Sequence, residues 1–262
     1  MGAPATRSML LTILGEYVLS RPGVWQETLV AALAAVGYKE QAARQAIARS
    51  VSEGWLATER HGRRARMLLG AETASMLSEG AERIYAFGEP WTWDGRWLLV
   101  LLRVPEQRRA VRHQMRTRLA WAGFGSLGGG VWISPHVGRE REVSSILRSG
   151  STAETLSFEA ELGAVGGPEK VIAEAWDLEQ VAAHYREFLT DFTRMRPRST
   201  KAMFAAQTAI VHAWRKFPFL DPDLPQRLLP RRWPRERAHD LFHDRHRRWH
   251  EQAQLYFDGL ER

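Results

Sequence analysis

The first 70 residues contain three amphipathic helical segments followed by two short strands around a glycine, an order that few small folds share. Apolar residues recur at helical spacing over 9–19, 25–36 and 40–53, and glycine or proline separates the segments. Strand-like residues 55–59 and 65–69 flank the turn at 60–64, which predicts a hairpin. Three helices and a hairpin predict a winged helix-turn-helix domain over residues 1–90.

This order places two sets of polar side chains where they can contact DNA. In such a domain the third helix enters the major groove, where Arg and Gln recognise guanine and adenine edges. The hairpin can reach phosphate groups or the minor groove. The predicted DNA-binding residues are Gln41, Arg44, Gln45 and Arg49 on the helix and Arg60, His61, Arg63 and Arg64 in the hairpin. The alternative is that they are ordinary solvated side chains.

A second domain is predicted over residues 91–167. Residues 97–104 form a nearly unbroken apolar run, which favours a strand buried on both faces. Helical periodicity over 106–122 and 139–149 alternates with strand-like segments at 124–127, 131–134 and 155–162. The order β-α-β-β-α-β predicts a ferredoxin-like domain. Gly128-Gly129-Gly130 predicts a tight hairpin connection, because no helix follows it to hold a dinucleotide.

The same strand order occurs in a small CRISPR-associated nuclease, so a metal-dependent nuclease is one alternative function. That chemistry needs an acidic ligand at the end of the first strand, but the sequence there reads Leu102-Arg103-Val104-Pro105 and the first carboxylate is Glu106. The sequence therefore favours a scaffold or dimerisation domain. A thioesterase is the other enzymatic alternative, but no Ser-His-Asp, paired-carboxylate or thiol arrangement stands out. We expect no enzymatic activity.

Residues 168–262 are predicted to form a helical domain, with helices over 178–196, 200–216 and 236–260 and a proline-rich loop between the last two. Spacings of four, three and four place four histidines along one side of the last helix: His239, His243, His246 and His250. Two histidines at i and i+4 can share a metal ion, so these residues are weak metal candidates. Packing at the edge of the core is the favoured interpretation, and no cofactor is expected.

The composition excludes several classes of protein. The chain has no cysteine, which rules out disulfides and cysteine nucleophiles and is compatible with a reducing cytosol. No run approaches the roughly 20 apolar residues of a membrane span, so a cytoplasmic protein without membrane contact is expected. The net charge of +7, spread over the chain, favours a polyanionic partner.

Six segments of the sequence resemble the PaaX family of repressors, which control phenylacetate and related aromatic-acid catabolism in bacteria. They are spread over nearly the whole length in the family's order: MLLTILGEYV, ARQAIARSVSEGWL, RHGRR, RIYAFGEPWTWDGRWLLVLL, LAWAGFGSLGGGVWISP and FPFLDPDLPQRLLPRRWP. The resemblance implies the same three domains, a homodimer on double-stranded operator DNA, and release by an acyl-CoA effector similar to phenylacetyl-CoA. It also implies that the family's recognition-helix arginine is Arg44 and that its wing residues are Gly62, Arg63 and Arg64.

An acyl-CoA effector needs cationic groups for its phosphates and an apolar slot for its acyl group. The predicted effector-binding residues are His212, Trp214, Arg215 and Lys216, beside the proline-rich loop. The alternative is that Trp214 belongs to the core and the two cations to a solvated surface. The sequence departs from the family at Ser50 or Val51 and near Arg235, where a leucine and a glycine are frequent. A nucleic-acid-binding protein without an effector is the remaining alternative function.

Overall fold

The computed structural model describes residues 5–105, 107–141, 143–144 and 154–262. Within them the chain is a mixed α+β protein with two antiparallel sheets. Its contacts define two compact units: the chain up to Ala86 with Phe188–Arg215 and Arg237–Arg262, and Phe87–Glu187 with Lys216–Glu236. The predicted division at residues 90 and 167 remains a prediction. None of the described helices is long and apolar enough to cross a bilayer.

The first unit starts with the predicted succession of three helices and a hairpin. Its N-terminal elements are α1 (Thr6–Ile13), a π-helical turn (Leu14–Val18), β1 (Val24–Trp25), α2 (Gln26–Ala35), α3 (Glu40–Ser52), β2 (Leu56–His61), β3 (Arg64–Leu69) and α4 (Ala71–Ala86). The strands β2 and β3 pair antiparallel, and β1 pairs with the other edge of β3. Two long C-terminal helices also contribute: α8 (Thr200–Trp214) and most of α10 (Arg235–Glu261).

Aromatic side chains from both ends of the chain form the centre of this unit. The Tyr17 ring stacks on Phe257 with centroids 5.1 Å apart and lies 4.8 Å from Phe204, and all three side chains are buried. Their burial explains why sequence segments more than 180 residues apart form one core. On α3 the buried positions include Ala43 and Ser50, whereas their neighbours Ala42 and Val51 are half-buried. The Ser50 hydroxyl is satisfied because it donates to the carbonyl of Ala46 at 2.9 Å.

The second unit is built on a four-stranded sheet of order β5-β6-β4-β7, with every neighbouring pair antiparallel. Its elements are β4 (Arg96–Arg103), α5 (Arg109–Trp121), β5 (Gly125–Ser126), β6 (Val131–Ser134), a 3₁₀ turn (Val137–Arg139), β7 (Glu154–Glu161), α6 (Pro168–Ala175), most of α7 (Leu178–Thr193) and α9 (Phe217–Leu220). The predicted glycine hairpin connects β5 to β6. The predicted helix over 139–149 lies largely outside the described residues, as does Glu106.

The central strand β4 is buried on both faces, as its apolar run predicts. Leu98 and Val100 pack with Met115 of α5 on one face, and Trp97 packs with Ile172 and other residues on the opposite face. The edge strand β7 behaves differently. Apolar and polar residues alternate along this strand, but its apolar side is open to solvent, with Leu156 60% and Phe158 50% exposed.

The proline-rich segment 217–230 is held against the second unit by buried groups. The Phe217 ring stacks on Tyr185 with centroids 4.2 Å apart. Asp221 accepts a hydrogen bond from the Tyr185 hydroxyl at 2.7 Å and lies 3.3 Å from the guanidinium of Arg235. The sequence predicts no regular helix here, but α9 forms one turn over Phe217–Leu220. Proline is tolerated in it because Pro218 occupies the first turn.

Candidate nucleic-acid interface

The helix α3 separates a buried face from a polar, exposed one. Its sequence is rich in strong helix formers, and Glu40 in the first turn and Arg49 in the last complement the helix dipole. The buried face carries Ala43, Ala46 and Ile47. All four predicted DNA-binding residues of the helix are on the exposed face: Gln41, Arg44, Gln45 and Arg49.

Arg44 forms an ion pair on this surface. Its Nε and Nη2 atoms each lie 2.9 Å from Oε1 of Glu40, one helical turn earlier. Both side chains are exposed, at 47% and 65%, so the pair contributes little stability and another polar partner can replace it. Glu40, Gln41, Arg44, Gln45 and Ala48 line a shallow concave surface.

The hairpin between β2 and β3 turns at Gly62, which has a φ of +62°. An L side chain is strained at that angle, so glycine is the residue this tight turn favours. His61 and Arg64 are directly opposite each other in the ladder, and only Gly62 and Arg63 connect them. The turn therefore presents its charged residues at the end of a short, well-defined ribbon.

The four predicted DNA-binding residues of the hairpin fall into two groups. Arg64 stacks over the Trp25 ring at 3.9 Å, and His61 contacts both that ring and the carboxylate of Glu59. Arg60 and Arg63 are exposed, and within the described part of the chain no carboxylate pairs with them. Arg64 thus helps to hold the hairpin, whereas Arg60 and Arg63 are available to a partner.

The predicted effector residues are largely committed to contacts within the protein. The Nδ1 atom of His212 lies 2.8 Å from the Thr12 hydroxyl, and the indole of Trp214 donates to the carbonyl of Ile84 at 3.0 Å. Arg215 donates to the carbonyl and hydroxyl oxygens of Ser8, and burial lowers the pKa of its guanidinium.

Trp214 is fully buried, in agreement with the core alternative, whereas Lys216 is exposed and belongs to the second unit. Since His212 and Trp214 are both buried, the four side chains do not all lie on an open surface.

Two of the four histidines converge on a buried carboxylate that sequence patterns do not connect with them. Glu16, in the π-helical turn, has Oε1 2.9 Å from His246 Nε2 and 3.6 Å from His250 Nδ1. Gln207 donates to the same oxygen at 2.9 Å, and the Tyr85 hydroxyl donates to Oε2. Burial acts to raise the pKa of Glu16, but hydrogen bonds from His246, His250 and Tyr85 outweigh it and lower the pKa to about 2.

Among the described residues, Glu16, His246 and His250 are the group of metal-ligand type whose donor atoms lie within 4.8 Å of one another. His239 and His243 are not part of it; their rings lie 4.3 Å apart, and His239 contacts Asp240. Glu16 could not be found from the sequence, because 230 residues separate it from His246. The hydrogen bonds already satisfy Glu16, and the four histidines stay no more than weak metal candidates.

Three models of one family match successive parts of the chain. They are described as PaaX-like protein over residues 5–73, PaaX protein central Cas2-like domain over residues 90–172, and PaaX-like protein C-terminal domain over residues 176–259. A curated relative, the Transcriptional repressor PaaX of Escherichia coli strain K12, is 28% identical over 247 residues. That alignment covers 89% of this chain and 77% of the relative.

A solved structure shares the fold along the whole chain. It is the uncharacterized protein Rv0674 from Mycobacterium tuberculosis, with a TM-score of 0.64 and 22% identity, covering 98% of this chain and 99% of that one. The homology to a repressor assigns this chain to the regulators of transcription. With all three family models matched in order, the chain belongs to the PaaX family.

Proposed function

We propose that this chain is a transcriptional repressor that binds operator DNA as a homodimer and is released by an acyl-CoA effector. In this proposal the N-terminal segment is a winged helix-turn-helix, and the four-stranded sheet belongs to a ferredoxin-like domain. The observation that carries the proposal is the exposed face of α3, where Gln41, Arg44 and Gln45 project from a helix whose other face is buried. Such side chains form bidentate hydrogen bonds with purine edges in the major groove.

The hairpin supplies the second part of the interface. Arg60 and Arg63 are exposed and have no ion pair among the described residues, so they can neutralise backbone phosphates. A two-fold symmetric dimer would place two such heads on related half-sites about one or two helical turns apart. The effector and the dimer rest on the resemblance to the family and on the curated repressor relative.

The two parts of the interface predict different mutational signatures. Arg44→Ala should weaken operator binding by about 1–3 kcal/mol and relax specificity at one base pair of each half-site. Arg63→Ala should weaken binding to all sequences alike and reduce the slope of log K against log salt by about 0.9 per protomer. Fluorescence anisotropy on operator and scrambled duplexes, at several salt concentrations, measures both effects.

Arg109→Ala is the matched control, because Arg109 is an exposed arginine of the second unit. It removes the same charge at a residue that belongs neither to α3 nor to the hairpin, and it should leave operator affinity within about twofold. If Arg44→Ala and Arg63→Ala bind operator as this control does, α3 and the hairpin are not the DNA-binding surface. Phenylacetyl-CoA added to the wild-type complex tests the effector: release supports it, and undisturbed binding favours a DNA-binding protein without an effector.

A further inference from the structure

The end of strand β4 opens into a cleft that the predicted DNA and effector residues do not use. Its volume is about 630 Å³, within the range of small-molecule sites. The buried Leu102 and Trp132 and the half-buried Val104 give it an apolar part. All of its lining residues belong to the second unit, so the cleft is a feature of that unit alone.

Three arginines give the cleft its charge. Arg103 is at the end of β4, and Arg112 and Arg116 lie one turn apart on the same side of α5. Within the described residues no carboxylate forms an ion pair with any of them, and Glu154 is the acidic residue lining the cleft. Like charges gathered in this way repel one another, so an anion bound among them would be stabilised by all three.

Backbone amides at the cleft are hydrogen-bond donors of the kind that bind phosphate groups. Gly128, Gly129 and Gly130 have φ values of +78°, +57° and +85°, and successive amides in such turns form anion-binding concavities. The Gly128 amide points to the Ser126 hydroxyl at 3.4 Å, but the amides of Gly129 and Gly130 have no hydrogen-bond partner within the described chain. A Cβ on Gly130 would lie 2.4 Å from the Leu102 carbonyl, so glycine is also required there by packing.

Arg112 is oriented by the main chain. Its Nη2 atom lies 3.5 Å and 3.4 Å from the carbonyl oxygens of Val104 and Pro105, at the end of β4. These contacts are at the long limit of hydrogen bonding, and they leave the other donors of the guanidinium unused. A planar guanidinium with unused donors is suited to bidentate phosphate binding.

We propose that this cleft binds the phosphate groups of the acyl-CoA effector, with Arg103, Arg112 and Arg116 as the cationic ligands and the glycine turn as a source of amide donors. The proposal rests on the effector part of the proposed function. Coenzyme A joins phosphates to a long, less polar arm, which matches the combination of cations and apolar surface. A cleft of this size accommodates a small molecule better than a DNA backbone, which contacts extended surfaces.

The test is direct binding of free coenzyme A to the full-length protein, measured by isothermal titration calorimetry. The wild type should bind coenzyme A and should not bind pantetheine, which lacks the phosphates. Arg116→Gln and Arg112→Gln should each weaken binding at least tenfold, whereas Glu154→Gln should tighten it because it removes a negative charge. Arg109→Gln, on the same helix but outside the lining, should bind as the wild type does. Unfolding curves superimposed on the wild type show that the variants are folded.

Three outcomes would contradict the proposal that the cleft binds coenzyme A. They are the absence of coenzyme A binding, equal binding of pantetheine, or equal binding by Arg116→Gln and Arg109→Gln. Release of operator DNA by phenylacetyl-CoA separates the two proposals. Release from wild type and Arg116→Gln alike retains the proposed function and moves the effector site elsewhere. If coenzyme A binds in the cleft but phenylacetyl-CoA releases no DNA, the cleft is still a coenzyme A site. The part of the proposed function in which an acyl-CoA effector releases DNA is then wrong.

Discussion

Arg63 and Arg235 carry the same side chain in opposite environments. Arg63 is exposed at the tip of the hairpin, and no carboxylate of the described chain pairs with it. Arg235 is 8% exposed and lies 3.3 Å from Asp221 and 3.0 Å from Asp223, and it also donates to the Leu224 carbonyl at 2.7 Å. A buried guanidinium needs such partners because its desolvation costs several kcal/mol. The fold therefore commits Arg235 to structure and leaves Arg63 available for binding.

Both arginines occur in basic stretches of similar appearance, RHGRR and RRWPRER. What separates them is long-range packing, which local composition does not report. Arg215 illustrates the same difference, since the sequence places it beside an apolar segment and the structure turns it toward the oxygens of Ser8. A positive charge is thus weaker evidence for an anionic ligand where, as in Arg215 and Arg235, protein oxygens already use the donors of a largely buried guanidinium.

The largest effect is expected for a substitution of the buried Arg235. Arg235→Met should lower the free energy of unfolding by about 3–5 kcal/mol, because it removes the guanidinium that pairs with the buried Asp221 and Asp223. Burial already raises the pKa of Asp223 to about 6 in spite of Arg235. Denaturant unfolding monitored by circular dichroism measures the change.

Arg237→Met is the control, since Arg237 is exposed two residues along the same helix and should change stability by no more than about 0.5 kcal/mol. Equal stability of the two variants would mean that the buried pairs do not stabilise the fold.

A second buried charge, Glu16, predicts how stability depends on pH. Its pKa is about 2 in the folded protein and 4.5 as a free side chain. The group therefore contributes its full stabilisation above pH 4.5 and loses it as the pH falls toward 2. The shift corresponds to about 3 kcal/mol. Wild-type protein should lose this stability over that range, and the difference from Glu16→Gln should shrink accordingly.

The measurement is the free energy of unfolding at closely spaced pH values, compared between wild type, Glu16→Gln and Glu27→Gln. Glu27 is exposed, so its variant should keep the wild-type acid profile. Asp223 works in the opposite sense, because its raised pKa disfavours folding as the pH rises from 3.8 through 6. A Glu16→Gln profile parallel to the wild type below pH 4.5 would contradict the assignment of the acid sensitivity to this carboxylate.

Secondary structure elements and turns can be predicted from the sequence, whereas contacts between distant segments cannot. The helical periodicity before Gly54 and the glycine turn at 62 predict the first three helices and the hairpin, because period and turn chemistry act over a few residues. The burial of β4 on both faces follows from its apolar run. By contrast, Glu16 meets His246 only through packing of the two chain ends, and no local pattern connects them.

The candidate sites divide in the same way. Positions on one helix, such as Arg44, follow from helical spacing. The cleft at the end of β4 combines a strand end, a helix and a glycine turn, and the glycine turn alone indicates only a hairpin. Its arginines could not be connected from the sequence, because nothing in their spacing relates Arg103 to Arg116 or to Gly129.

The smallest expected effect concerns Arg44, which lies between the two extremes of the comparison because it is exposed but paired. Glu40→Gln removes the carboxylate that occupies two of its donors and also removes a negative charge from the proposed DNA-binding face. Exposed pairs of this kind are worth about 0.3–0.5 kcal/mol, and repulsion of the phosphates adds a similar amount. Operator affinity should rise about two- to fivefold at low salt, and the gain should diminish as salt is added.

Anisotropy titrations of a two-by-two set isolate the pair: wild type, Glu40→Gln, Arg44→Ala and the double variant. If Glu40 acts by occupying Arg44, most of the gain in affinity disappears in the Arg44→Ala background. The part of the gain that persists there then reflects the removed negative charge. Glu72→Gln, an exposed glutamate on α4, controls for net charge alone. A loss of affinity in Glu40→Gln would instead mean that Glu40 itself accepts a hydrogen bond from a base, as carboxylates do from cytosine, and that the ion pair presents both residues to the groove.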